Sequence, residues 1–226
     1  MMNASIKILI SIALAVSRLV IPDTFDTLSS NYQASLHQEE KKISINQMLS
    51  AKSILLFDIN KNVVGIRGSR SPEMSRPIAS LSKIMTVYVA VKHLPANAQV
   101  TITHDALNVP GVAGSFKVGE TFSLEDSMRA IMMMSSNDMA TALAETTGAK
   151  LGGDSFEDRV NLFVKEMNNE ALRLGMTRTL FRNPTGLDRE DGTASNYSTA
   201  EDLSKLIVAT QSTPALWEAS RAQEYT

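Results

Sequence analysis

Apolar residues follow two rhythms along this chain. From Ser53 to Ile59, and again from Val63 to Ile66, apolar and β-branched residues flank the turn-forming Asn60-Lys61-Asn62, which predicts a β-hairpin. Gly68 to Pro77 breaks the pattern. Beyond it Leu81, Ile84, Met85, Tyr88 and Val91 recur at helical spacing until Pro95 ends the run, predicting one mostly buried helix. A loop-rich stretch with Pro110, Gly111, Gly114 and Gly119 leads to Ser123, a helix cap followed by Glu125 and Asp126 where the helix dipole favours acids. The helical pattern then reaches Gly148, with an interruption at Ser135-Ser136-Asn137. Phe156, Val160, Phe163, Val164, Met167, Ala171 and Leu174 share one face of a further helix, with Asp154 as its expected cap and Gly175 as its stop. Asn183-Pro184-Thr185-Gly186 is turn chemistry, and Ser198 with Glu201 forms a capping box opening a last helix to Thr210. Strands are therefore expected only near the start, and helices through the middle.

Before the hairpin the pattern is of another kind. Lys7 precedes an apolar run from Ile8 to Val16 with Ala13 and Ala15 near its end, the arrangement of a secretory signal peptide. The run is about half the ~20 residues a membrane-spanning helix needs. Residues 21–46 are polar and aperiodic. The expected organisation is a signal peptide over residues 1–20, a lead-in over 21–46 and a folded domain over 47–226, exported to the periplasm or cell envelope.

Composition narrows the chemistry. With 43% hydrophobic and 20% charged residues in 226, the chain has the make-up of a globular protein able to bury a core. A formal net charge of −2 provides no field to attract nucleic acid, which is not an expected partner. The absence of cysteine excludes disulfides, thiolate metal sites and a cysteine nucleophile. His37, His93 and His104 share no metal-ligand spacing, so no metal or cofactor is expected. Met128, Met132, Met133, Met134 and Met139 read as flexible core filler.

The sharpest chemical signal is Ser80-Leu81-Ser82-Lys83, placed by Pro77 in the first turn of a helix, so that Ser80 and Lys83 share a face. A serine hydroxyl becomes a good nucleophile when a nearby base removes its proton. A lysine can be that base once desolvation lowers its pKa. The second signal is Ser135-Ser136-Asn137, whose hydroxyl could relay a proton to a leaving amine while the amide holds a substrate peptide group. Either element alone also fits an ordinary helix face or turn.

Taken together, and with Lys117-Val118-Gly119-Glu120, Ser136-Asn137-Asp138-Met139-Ala140, Leu174-Gly175-Met176 and Phe181-Arg182-Asn183-Pro184-Thr185-Gly186-Leu187, the chain resembles the serine-type D-alanyl-D-alanine carboxypeptidases, the low-molecular-weight penicillin-binding proteins. The resemblance implies an α+β fold of the DD-peptidase/β-lactamase kind, an antiparallel sheet with packed helices plus an all-helical subdomain. It implies Ser80 as acyl-forming nucleophile, Lys83 as proton acceptor, Ser135 as relay to the departing D-alanine and Asn137 as the group orienting the substrate backbone. The implied partners are peptidoglycan stem peptides ending in D-Ala-D-Ala, with β-lactams as inhibitors.

The family's third element, Lys-Thr-Gly, does not occur in these 226 residues. The expectation is a chain truncated before that motif, lacking several sheet strands, the cation for the substrate carboxylate and half the oxyanion hole. Two alternatives stand beside the peptidase: an inactive remnant of such an enzyme, and a serine β-lactamase. Against the latter, no Glu-x-x-Leu-Asn segment is present, and Glu166-Met167-Asn168 falls inside an amphipathic helix.

Overall fold

The structure, a computed structural model, describes residues 51–58, 63–67, 72–111 and 114–221. The apolar run at 8–16, the lead-in at 21–46 and the hairpin turn at 60–62 lie outside them. Strands β1 (Leu55–Asp58) and β2 (Val63–Arg67) pair antiparallel, with Leu55 opposite Arg67 and Asp58 opposite Val63. Strand β3 (Arg76–Pro77) leads through a single 3₁₀ turn (Ala79–Leu81) into helix α1 (Ser82–His93). Next come β4 (Gln99–Thr101), a short helix α2 (His104–Leu107) and β5 (Thr121–Ser123). Helices α3 (Leu124–Met134), α4 (Asn137–Lys150) and α5 (Phe156–Arg173) follow, then β6 (Tyr197–Ser198), α6 (Ala200–Thr210) and α7 (Pro214–Arg221). The result is α+β, helix-rich with small antiparallel ladders.

Helix α4 is the centre of the helical layer. Its residues from Asp138 to Ala144 are all buried, and it touches α1, α3 and α5. A helix surrounded on all sides has no polar face to show, so its sequence lacks a clean amphipathic stripe. Gly148 lets α5 come close: a Cβ there would lie 2.0 Å from the Arg159 carbonyl oxygen. Met85, Ile131, Met139, Leu143, Phe163 and Met167 fill the core, each worth about 1.5–3 kcal/mol by its removal from water.

The structure corrects the expectations in four places. Two strand pairs lie beyond the start of the chain, β4 with β5 and β3 with β6. At two or three residues per strand they are too short for alternation to register. Helix α7 lies past the expected end at Thr210 and packs on α3, burying Leu216 and Ala219. The cap of α5 is Ser155, not Asp154, because its hydroxyl accepts the Asp158 N–H at 3.1 Å. The cap of α6 is Thr199, accepting from Asp202 N at 2.9 Å. Ser198, one residue earlier, is committed to β6 and pairs its hydroxyl with Thr179 Oγ1 at 2.7 Å. Elsewhere the apolar periodicities hold: α1 buries Met85 and Tyr88, α5 buries Phe163, Met167 and Ala171, and α3 breaks from α4 at Ser135-Ser136.

Candidate active site

The site forms where the first turn of α1, the start of α4 and the 182–187 loop converge. Ser80 sits half-buried in the 3₁₀ turn, one turn before Lys83. Its predecessor Ala79 has φ 44°, a left-handed conformation that costs a non-glycine residue about 1–2 kcal/mol. Ser82 steadies that bend by donating its hydroxyl to the Ala79 carbonyl at 2.7 Å. Gly186 packs against the same peptide from the other side. A Cβ on Gly186 would lie 1.9 Å from Ala79 O, and its own φ is 83°, so only glycine fits.

Lys83 is 2% exposed. Its Nζ donates to Asn137 Oδ1 at 2.8 Å, to the Thr185 carbonyl at 2.8 Å and to Ser80 Oγ at 3.2 Å. These three acceptors are neutral, and among the described residues no carboxylate forms an ion pair with it. Burial without a counter-charge disfavours the ammonium, and the pKa falls from 10.5 to about 8. A neutral lysine aimed at a serine hydroxyl is a base in position to deprotonate it.

Asn137 opens α4, and the pattern break that placed it there also fixes its neighbours. Ser135 ends α3 at φ 56°, and Ser136 caps α4 by accepting from Met139 N at 3.1 Å. Asn137 Nδ2 donates to the carbonyls of Pro110 and Gly111 at 3.0 and 3.2 Å. Ser80, Lys83 and Asn137 are thus joined by direct hydrogen bonds. Ser135 is half-buried two residues from Asn137, but among the described residues its hydroxyl makes no hydrogen bond with Ser80 or Lys83. Asp138, beside Asn137, is buried with Oδ1 unpartnered, and burial pushes its carboxyl pKa up.

The sequence did not single out the residues that hold Lys83 from behind. Thr185 contributes a backbone carbonyl, which no side-chain pattern advertises. The Asn183 side chain shapes that loop, accepting from Gly186 N at 2.7 Å and Thr185 N at 3.2 Å. Its motif was legible as turn chemistry and as part of the resemblance, but not as the support of Lys83. For metals, His93, Glu166 and Glu170 bring ligand atoms within 4.8 Å of one another. Lys92 and Arg173 already supply cations to those carboxylates, so the cluster is an ion-pair network.

The side chains of Ser80, Lys83 and Asn137 thus meet at one place, and comparison with known proteins gives the family. The family model for D-alanyl-D-alanine carboxypeptidase, Peptidase_S11, matches residues 38–226. The chain belongs to that family. The D-alanyl-D-alanine endopeptidase of Pseudomonas aeruginosa is 33% identical over 186 residues, covering 81% of this chain and 55% of that protein. The D-alanyl-D-alanine endopeptidase of Escherichia coli K12 is 32% identical, over 78% of this chain and 52% of its own length. The chain therefore spans about half the length of the curated relatives it matches. Among solved structures, the D-alanyl-D-alanine carboxypeptidase DacD of Francisella tularensis superposes with a TM-score of 0.66 at 26% identity, covering 83% of this chain and 43% of that one. A D-alanyl-D-alanine carboxypeptidase from Mycobacterium tuberculosis H37Rv gives 0.63 at 26%, covering 76% and 60%.

Proposed function

We propose that this chain carries the acylating half-site of a serine D-Ala-D-Ala peptidase acting on peptidoglycan stem peptides. The observation that carries the reading is the contact of Lys83 Nζ with Ser80 Oγ at 3.2 Å, made by a lysine whose burial lowers its pKa to about 8. Neutral Lys83 takes the Ser80 proton as Oγ attacks the carbonyl between the two terminal D-alanines. The tetrahedral intermediate collapses with cleavage of the C–N bond, and the proton that Lys83 took is returned through the Ser135 hydroxyl, which gives its own proton to the departing D-alanine amine and regains one from the Lys83 ammonium. Water then hydrolyses the ester and restores Ser80. Asn137 orients the substrate backbone, exchanging its bonds to the Pro110 and Gly111 carbonyls for one to the peptide. A substrate of this kind lies in the cell envelope, which accords with the export signal read at residues 1–20.

The Pseudomonas aeruginosa and Escherichia coli relatives are named endopeptidases, so a cross-linked muropeptide belongs in the assay beside a diacetylated Lys-D-Ala-D-Ala peptide. The deciding measurement is intact-mass spectrometry after incubation with a penicillin, with Ser80→Ala alongside. The expected result is a stoichiometric adduct absent from the variant. Soluble, folded protein that takes no adduct would make the chain a non-catalytic relative. Rapid turnover of the penicillin would make it a β-lactamase.

A further inference from the structure

We infer that Asn196 is the positioning residue of the Ser80–Lys83 pair, clamping the 182–187 loop to the first turn of α1 so that the Thr185 carbonyl holds Lys83 Nζ against Ser80 Oγ. The inference rests on the roles proposed above for Ser80 and Lys83. The two-residue ladder between β3 and β6 brings this distant segment alongside the nucleophile, with Pro77 opposite Tyr197 and Ile78 N donating to Asn196 O at 3.2 Å. The Asn196 side chain, 2% exposed, then uses both ends of its amide. Oδ1 accepts from the backbone N–H groups of Arg182 at 2.8 Å and Asn183 at 3.3 Å. Nδ2 donates to Ser82 Oγ at 2.8 Å and to the Asn183 carbonyl at 2.9 Å. Backbone N–H groups can only donate, so these partners fix which end of the amide faces which way.

Each bond leads toward the reacting pair. Through Ser82 Oγ, which donates to Ala79 O at 2.7 Å, Asn196 braces the left-handed bend that presents Ser80. Through Arg182 and Asn183 it fixes the loop in which Asn183 Oδ1 arranges Thr185 and Gly186. Thr86 Oγ1 adds a bond to the Pro184 carbonyl at 2.6 Å, so the loop is pinned to α1 at both ends of the Lys83 turn. Among the described residues Asn196 makes no hydrogen bond with the Ser80 or Lys83 side chain and acts through the groups that do. A buried amide with every donor and acceptor used is costly to disturb, and its loss frees several groups at once.

The test reads Lys83 directly. The full chain, isotope-labelled at lysine Cε, is titrated by NMR across the range from about 8 to 10.5 that separates the buried and free amine. The Lys83 signal is identified by its loss in Lys83→Arg. Nζ faces Ser80 from the 3₁₀ turn, Asn137 from α4 and Thr185 from the loop, and the neighbouring titratable group along α4 is Asp138. In Asn196→Ala the released loop lets water reach Nζ, and the midpoint is expected to climb from about 8 toward 10.5. Ser155→Ala, which removes the cap of α5 far along the chain, is expected to lower Tm without moving it. A folded Asn196→Ala with an unmoved midpoint overturns the inference. Asn196→Ser is the milder variant, with the same shift in smaller measure. Failure of both to fold would assign Asn196 to the fold as a whole and equally overturn the positioning role. The titration needs no turnover, so a parent chain that takes no penicillin adduct would remove the functional reading while leaving the Asn196 result to stand or fall by itself.

Discussion

Lys83 on α1 and Glu170 on α5 are 2% and 1% exposed, and the protein treats their charges in opposite ways. Glu170 is met by Lys92 and Arg173, the latter at 2.7 Å, and both partners reach solvent. Its charge is neutralised where it stands, as a buried ion must be to be tolerated. Lys83 has three neutral oxygens and, among the described residues, no counter-ion. Hydrogen-bond geometry satisfies its donors while burial keeps the ammonium costly, so the proton is loosely held. Pairing makes a structural joint, and its omission leaves an amine whose pKa is lowered. Both sites are clusters of buried polar groups, and only the presence or absence of a countercharge separates them.

The largest test of that contrast exchanges each lysine for methionine. Lys83→Met is expected to slow penicillin acylation of Ser80 by about 10²–10⁴-fold, the range for loss of a positioned proton acceptor. Lys92→Met should leave the stopped-flow acylation rate essentially unchanged. Equal losses would mean that Lys83 acts as structure, like its counterpart.

Gly186→Ala is expected to destabilise by more than about 4 kcal/mol in urea unfolding, because it combines a disfavoured φ with a clash against Ala79 O. Ala at this position with near-parental stability would mean that the loop does not press on the nucleophile turn.

A pH series sharpens the comparison further. With a folded pKa near 8 against 10.5 for the free amine, the unfolded chain binds the extra proton between those values. Lys83 therefore makes stability rise with pH across that window, by about 3 kcal/mol relative to Lys83→Met. Below the window both states are protonated and the full burial penalty remains. Acylation should rise through the same pH of about 8 as the neutral amine appears. A flat difference in unfolding free energy would contradict the loosely held proton.

The smallest effect is expected from Glu170→Gln. Its partners Lys92 and Arg173 are 41% and 51% exposed at their side chains and can rehydrate. The loss should be about 1 kcal/mol by thermal unfolding, with acylation of the folded protein unaffected.

Reading the sequence went far where the signal was local. Helix α5 announced its buried face through Phe163, Met167 and Ala171, and the spacing of Ser80 and Lys83 put them one turn apart, although Ser80 lies in the 3₁₀ turn before α1 and not, as expected, in the helix itself. Where partners are far apart in the chain it was silent. Asn196 is 114 residues from the Ser82 hydroxyl it binds, and Thr185 is 102 residues from Lys83. Neither position has a neighbour whose spacing hints at its role. The β3–β6 ladder that joins them is two residues long and leaves no alternation to read.

The sequence by itself therefore determined the longer helices α1, α3, α4, α5 and α6, the break between α3 and α4, and the residue types Ser80, Lys83 and Asn137, because helical periodicity and capping are encoded over a few residues. Tertiary structure alone decided that Lys83 would be buried without a countercharge. It also decided that a carbonyl from a remote loop would hold Lys83, and that a glycine would press on the peptide before Ser80. Desolvation and hydrogen-bond geometry depend on which distant segments close over a group, and those contacts exist only once the chain has folded.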